Sequence, residues 1–243
     1  VTGGGRGIGR AIALGLASAG ARVAVLARSA DEVAQTAKLV GECGGDALAL
    51  TADVTDLGQL TAALGEIGER WGPVEVLVNN AAVVWPLGPS ATLDPGEWAA
   101  AVGINLTAPA RFSFALLPAM LDRGWGRIVN VSSSVAAHPT GMLRANAYAT
   151  TKAALEAHTL NLAAELADSG VAVNVFRPGG VDTAMQAWIR DQAPERIGTE
   201  LHERFTRNHQ EGALLSPEQS AASLLSRLPT TATGQIWDAA DPT

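Results

Sequence analysis

The stretch VTGGGRGIGR, residues 1–10, holds five glycines and two arginines. Glycine permits tight turns and lets a phosphate approach backbone N–H groups. VTG reads as the last step of a strand, so the strand is expected to begin upstream of residue 1. The following RAIALGLASAG, residues 10–20, repeats apolar side chains at helical spacing and stops at Gly20. Strand, glycine turn and helix in that order point to a nucleotide cradle. The pattern is T-G-x-x-x-G-x-G, with Thr2, Gly3, Gly7 and Gly9. It is not the common G-x-G-x-x-G, because Ile8 interrupts it, and no Gly-Lys-Ser/Thr follows as in a P-loop. A plain packed glycine loop is the competing reading.

Working outward, apolar runs alternate with helical patterns. ARVAVLAR (21–28), DALALTADV (46–54), VEVLVNNAA (74–82), GRIVNVSSS (126–134), VAVNVFRPGG (171–180) and GQIWDA (234–239) read as strands. Helical patterns fall at 31–41, 57–71, 96–121, 146–168 and 217–227. Residues 183–213 are polar and irregular, with short helices expected. Continuous apolar strands between helices indicate a parallel sheet covered on both faces. No linker divides the chain. The expectation is one Rossmann-type α/β domain over 1–243, doubly wound, with its strand C-termini along one ligand-binding edge.

Composition narrows the function classes. Hydrophobic residues make up 47% of the 243 and charged residues 17%, enough for a substantial core. A formal net charge of −7 argues against nucleic acid as the main partner. No run approaches the ~18 apolar residues of a membrane span, and nothing resembles a signal peptide. The single cysteine, Cys43, excludes an internal disulfide and suits a reducing compartment, so the cytoplasm is expected. Four histidines form no recognised metal-ligand motif.

The chain resembles the short-chain dehydrogenase/reductase family. The resemblance is carried by TGGGRGIG at 2–9, DV at 53–54, NNAA at 79–82, Asn105, NVSSS at 130–134, YATTK at 148–152 and RPGGVDT at 177–183. It spans nearly the whole chain in order. The family usually has Asn-Asn-Ala-Gly where this chain has Ala82. The resemblance implies a nicotinamide cofactor held by Thr2, Gly3, Gly7, Ile8, Gly9, Asp53, Val54, Asn79, Ala81, Tyr148, Lys152, Pro178, Gly179, Val181 and Thr183. In this reading Asp53 contacts the adenine and Val54 packs on it. Thr183 touches the nicotinamide amide or a phosphate, or caps the next helix.

An NAD site commonly ends its second strand in a carboxylate that binds the ribose hydroxyls. Here that position is Ala27, followed by Arg28 and Ser29, and Asp31 lies too late to substitute. Arg6 and Arg28 are therefore expected to clamp a 2′-phosphate, with Ser29 adding a hydroxyl, which selects NADP(H).

Tyr148 is the sole tyrosine, and Lys152 is one of two lysines. Their i,i+4 spacing puts both on one helix face, where a cation favours the phenolate. Alone, Y-x-x-x-K is a poor motif. With the resemblance, Tyr148 becomes the proton-transfer group and Lys152 its tuner. Ser133 binds the substrate oxygen, with Ser134 as its rival. Asn105 holds a water connected to Lys152. The loop before Tyr148 is longer than the family pattern, and an insertion is suspected around HPTGMLRAN, residues 138–146.

The reaction expected is carbonyl/alcohol interconversion by hydride transfer, on a ketone or 3-oxoacyl-type substrate. His138, Asn146 and Trp188, together with Trp85, Met142, Leu143 and Met185, are candidates to line the substrate pocket, with 183–213 as a lid. Ordinary packing is the alternative for Trp188. The family resemblance further implies a homotetramer, or a homodimer, built on the helices around 98–120 and 148–168. Two other readings stay open: an NAD-dependent alcohol dehydrogenase, and a non-catalytic regulator or structural protein that keeps the cofactor fold.

Overall fold

The computed structural model describes residues 1–241. Elements follow in the order α1 (Gly7–Ser18), β1 (Val23–Ala27), α2 (Ala30–Glu42), β2 (Ala47–Thr51), α3 (Leu57–Trp71) and β3 (Val76–Asn79). Next come α4 (Pro95–Val102), a π-helical turn (Gly103–Thr107), α5 (Ala108–Arg123), β4 (Gly126–Val131), α6 (Asn146–Glu165) and β5 (Val171–Arg177). The chain closes with α7 (Ala184–Arg190), α8 (Pro194–Ile197), α9 (Thr199–Gln210), α10 (Pro217–Arg227) and β6 (Ile236–Asp238). The expected strands are all present, each shorter than its apolar run, because the polar exits leave the sheet.

Every strand pairing is parallel. β1 pairs with β2, and β3 to β6 form a second ladder in sequence order. Val1 and Thr2 stitch the two together. Thr2 bridges Leu26 on one side, and its N–H donates to the Val78 carbonyl at 3.0 Å on the other. The carboxyl ends of all strands therefore meet on one edge, where polar loops gather.

Both faces are covered. On one, Phe112, Leu116 and Met120 of α5 and Leu162 and Ala163 of α6 bury against Leu77, Ile128 and Val173. On the other, Ile12 of α1 and Leu224 of α10 bury against Val78, Val129 and Phe176. The helical stretch Pro95–Arg123 has the length and hydropathy of a membrane span. It nevertheless runs through the π turn and buries Phe112, Leu116 and Met120 in this core.

A buried polar ladder crosses the middle strands. Asn79 Nδ2 donates to Asn130 Oδ1 at 2.8 Å, and Asn130 Nδ2 donates to Thr159 Oγ1 at 2.9 Å. All three residues are buried. Replacing Asn130 by Ala strands partners on β3 and α6. Unfolding in urea is expected to show a loss of about 1–3 kcal/mol with an unchanged m-value. A neutral variant would mean that water satisfies the ladder instead.

Candidate active site

The glycine turn is shaped by what glycine alone allows. Gly3 has φ of 63°, the left-handed region. A Cβ on Gly9 would collide with the Gly3 carbonyl, so α1 lies directly on the turn. The turn is held from three sides. The Gly5 carbonyl accepts from Arg10 Nε at 3.1 Å and from the Thr36 hydroxyl at 3.1 Å. Asn80 Nδ2 donates to the Thr2 and Gly3 carbonyls at 3.0 and 3.2 Å. The Thr2 hydroxyl accepts from the N–H groups of Asn80 and Ala81 at 3.0 and 3.1 Å. Arg6 precedes α1 and gives it no side-chain cap, so the first helical N–H groups remain available to an anion. Gly7 stands beside the Thr183 methyl, and Ile8 lines the adjacent cleft. A bare backbone cradle, uncapped N–H groups and nearby arginines fit a dinucleotide phosphate.

Some residues expected at the cofactor have other work. Asn79 points into the core and belongs to the buried ladder, whereas its neighbour Asn80 reaches the turn and the cleft. β3 ends at Asn79, and Asn80 opens the loop that turns towards the glycines. Val54 is buried in the core. The Thr2 hydroxyl is spent on clasping the loop after β3. The Arg6–Arg28 clamp is not closed. Arg6 Nη1 pairs with Glu32 at 3.3 Å, an exposed contact of little worth. Arg28 lies exposed within electrostatic reach of Asp53. Bonds from the Thr55 N–H and hydroxyl hold the Asp53 carboxyl below its usual value, and Arg28 adds a smaller push. The Ser29 hydroxyl caps α2 by accepting from the Glu32 N–H at 3.3 Å. Thr183 precedes α7 without a capping bond.

The cleft beside the turn encloses about 480 Å³ and brings together Ser133, Tyr148, Lys152 and the Pro178–Val181 loop. That volume suits a small-molecule site. Ser133 and Ser134 both line it; the Ser133 hydroxyl accepts from the Val135 N–H at 3.4 Å, and Ser134 opens a short 3₁₀ turn. Burial pushes the Tyr148 phenol above its usual range, and the Ser133 hydroxyl offsets part of that rise. The Lys152 ammonium lies 5.8 Å from the Tyr148 ring centroid and donates to the Val131 carbonyl at 2.7 Å. Burial brings Lys152 itself down from 10.5 to about 8, with Glu156 pulling it back up.

The Asn105 side chain bonds protein groups directly. Its Oδ1 accepts from the Val83 N–H, and its Nδ2 donates to the Val83 carbonyl and the Thr151 hydroxyl. It sits in the π turn and ties that helix to the loop after β3 and to α6.

His138, Met142 and Met185 line the cleft, together with Ile189 and Phe205. Two substrate candidates do not. Asn146 is exposed and accepts from Trp98 Nε1 at 2.9 Å on the outer side of α6. Trp188 is half-buried and packs, with Met185 and Phe205, against the apolar cluster of Val84, Met142 and Ile189 without lining the cleft itself. Leu143 is exposed, and Trp85 stands behind Val84, which takes the cleft position. Arg204 of α9 donates to the Gly141 carbonyl at 2.6 Å, and Met185, Ile189, Arg204 and Phe205 of the 183–213 region form part of the cleft wall.

Comparison with known proteins agrees with this geometry. Residues 1–194 match the short chain dehydrogenase family model. The short-chain reductase protein NovJ of Streptomyces niveus is 35% identical over 228 residues, covering 93% of this chain and 84% of that protein. The 3-oxoacyl-acyl-carrier-protein reductase FabG of Vibrio harveyi is 37% identical over 191 residues, 79% of this chain and 76% of that one. A solved actinorhodin polyketide ketoreductase with NADPH superposes with a TM-score of 0.87 at 35% identity, over 98% of this chain and 93% of that one.

Lys152 sets a stability test. Its folded value of about 8 lies below the 10.5 of an exposed lysine, so the unfolded chain binds more protons in between. Stability contributed by this group therefore rises from about pH 8 towards pH 10, in total on the order of 3 kcal/mol. Tyr148 opposes only near pH 10 and above. Urea midpoints of Lys152→Met should lack this rise, whereas an identical rise in the variant would assign it elsewhere.

Proposed function

The chain belongs to the short-chain dehydrogenase/reductase family, and on that premise we propose that it reduces a ketone to a secondary alcohol with NADPH. The carrying observation is the convergence of Ser133, Tyr148 and Lys152 in one cleft against the glycine turn. The cofactor, when bound, supplies the hydride that reaches the carbonyl carbon. The cradle of Gly3, Gly7, Ile8 and Gly9 receives its phosphates. Arg28, and Arg6 once freed from Glu32, receive the 2′-phosphate that no carboxylate at Ala27 repels. Asp53, Ala81, Pro178, Gly179, Val181 and Thr183 line the rest of its path.

Ser133 orients the substrate carbonyl oxygen. Tyr148 gives its proton to that oxygen as it gains charge. Burial keeps the phenol protonated at neutral pH, which suits reduction; alcohol oxidation needs the phenolate and therefore higher pH. Lys152, when protonated, stabilises the phenolate left behind and would also hold the nicotinamide ribose of a bound cofactor. An oxoacyl thioester or related ketone fits the apolar cleft wall of Met142, Met185, Ile189 and Phe205, with His138 at its rim. The names of the ketoreductase relatives point to the same class. For assembly, a homotetramer is the reading favoured by Phe114 and Leu121 of α5 and Leu160 of α6, large apolar side chains that face solvent in one copy. The compartment proposed is the cytoplasm.

NADPH oxidation with a panel of 3-oxoacyl thioesters and simpler ketones tests the reading. Tyr148→Phe is expected to lose at least about 100-fold in kcat. Ser133→Ala should fall similarly, and Ser134→Ala should keep near-native turnover. Tight NADPH binding with no turnover on any carbonyl would favour a regulator instead. Arg28→Asp should raise KM for NADPH at least about tenfold and spare NADH. Equal use of NADPH and NADH by the native chain would sink the phosphate clamp and favour an NAD-dependent dehydrogenase.

A further inference from the structure

Tyr148, Lys152 and Glu156 stand at i, i+4 and i+8 on α6, one stripe facing the sheet. The first two belong to the proposed chemistry. Glu156 does not, yet it is buried. A carboxylate is seldom buried without a partner, and here Arg177 supplies one from the end of β5. Arg177 Nε donates to one carboxylate oxygen at 2.9 Å and Nη2 to the other at 2.7 Å, a bidentate fork. Arg177 directly precedes the Pro178–Gly180 loop that walls the cleft. The fork therefore fixes the carboxylate one helical turn from the Lys152 ammonium.

We propose that Glu156, anchored by Arg177, is a positioning residue that keeps Lys152 in its ammonium form and in place beside Tyr148. The inference rests on the reductase reading for its catalytic meaning. The Lys152 ammonium has little water and one close acceptor, the Val131 carbonyl. Several charges and titratable groups surround it. On its own helix these are Tyr148 and Glu156. From β5 comes Arg177, and from β6 Asp238, which acts on Arg177. Signs alternate along this series, from Lys152 through Glu156 and Arg177 to Asp238. Glu156 is the anion nearest in sequence to Lys152 on the shared face, and its field favours the protonated lysine. Arg177 holds the carboxylate in a single orientation. A buried ion pair is weak evidence for stability, since apolar replacement is often neutral or better. An electrostatic task at Lys152 gives the pair a function that fold stability does not require.

The two lysines make the test direct. The full chain labelled with ¹⁵N-lysine yields two side-chain resonances, Lys152 and the exposed Lys38, which serves as reference. Glu156→Gln should lower the Lys152 midpoint by about 0.5–1 unit from its native position near 8. The alkaline limb of kcat for ketone reduction should move with it. The double variant Glu156→Met with Arg177→Met keeps the volume filled and guards against misfolding. It should also lower the midpoint, by less, because the nearer charge removed is the anion. A midpoint unmoved to within about 0.2 unit in either folded variant would overturn the proposal and leave the pair a structural tie between α6 and β5. Absence of turnover in the native chain would instead defeat the reductase reading, and the lysine titration would still decide this one.

Discussion

The Lys152 ammonium is buried against the carbonyl of Val131, and the site depends on that contact. It joins α6, which carries Tyr148, to the end of β4, which exits into Ser133. The two reacting hydroxyls thus meet although fifteen positions separate them in the chain. The ammonium pays for this placement with a lowered proton affinity, and Glu156 returns part of it. The same burial lifts the Tyr148 phenol above its usual range.

Around that contact the parallel register does the rest. Strands that all run one way deliver the glycine turn, the Asn80 loop, the Ser133 exit and the Pro178–Val181 loop to a single edge. The glycine turn is rigid because its carbonyls are engaged by Arg10, Thr36 and Asn80. Rigid carbonyls leave the N–H groups at the start of α1 facing outward, and that is the physical content of a phosphate cradle.

The strand–helix alternation was legible because buried parallel strands are continuous apolar runs. The Ser133–Tyr148–Lys152 set was legible by resemblance and by helical spacing. What escaped reading was decided by face and by tertiary contact. Asn79 and Asn80 are adjacent letters, but one ends β3 inside the core and the other starts the loop that reaches the glycine turn. Asn146 lies two residues before Tyr148 yet is exposed and bonds Trp98, and Trp188 packs into the apolar cluster beside the cleft without lining it. The arginine at position 6 finds Glu32, twenty-six residues away, a pairing no local pattern announces. The role of Asn105 turned on a π turn that periodicity does not reveal. Arg10 and Asn80, which fix the turn, stood inside motifs already quoted, but their task shows only in the bonds they make.

Hydride transfer onto a carbonyl carbon, with the proton supplied by Tyr148, is the central claim. Its most direct measurement uses NADPH carrying deuterium at the transferring C4 position, mixed with the purified chain and a 3-oxoacyl thioester. Mass spectrometry and NMR of the product should find one deuterium at the new carbinol carbon with the native chain and only a trace with Tyr148→Phe. An unlabelled alcohol, or undiminished label transfer by the variant, would contradict the account.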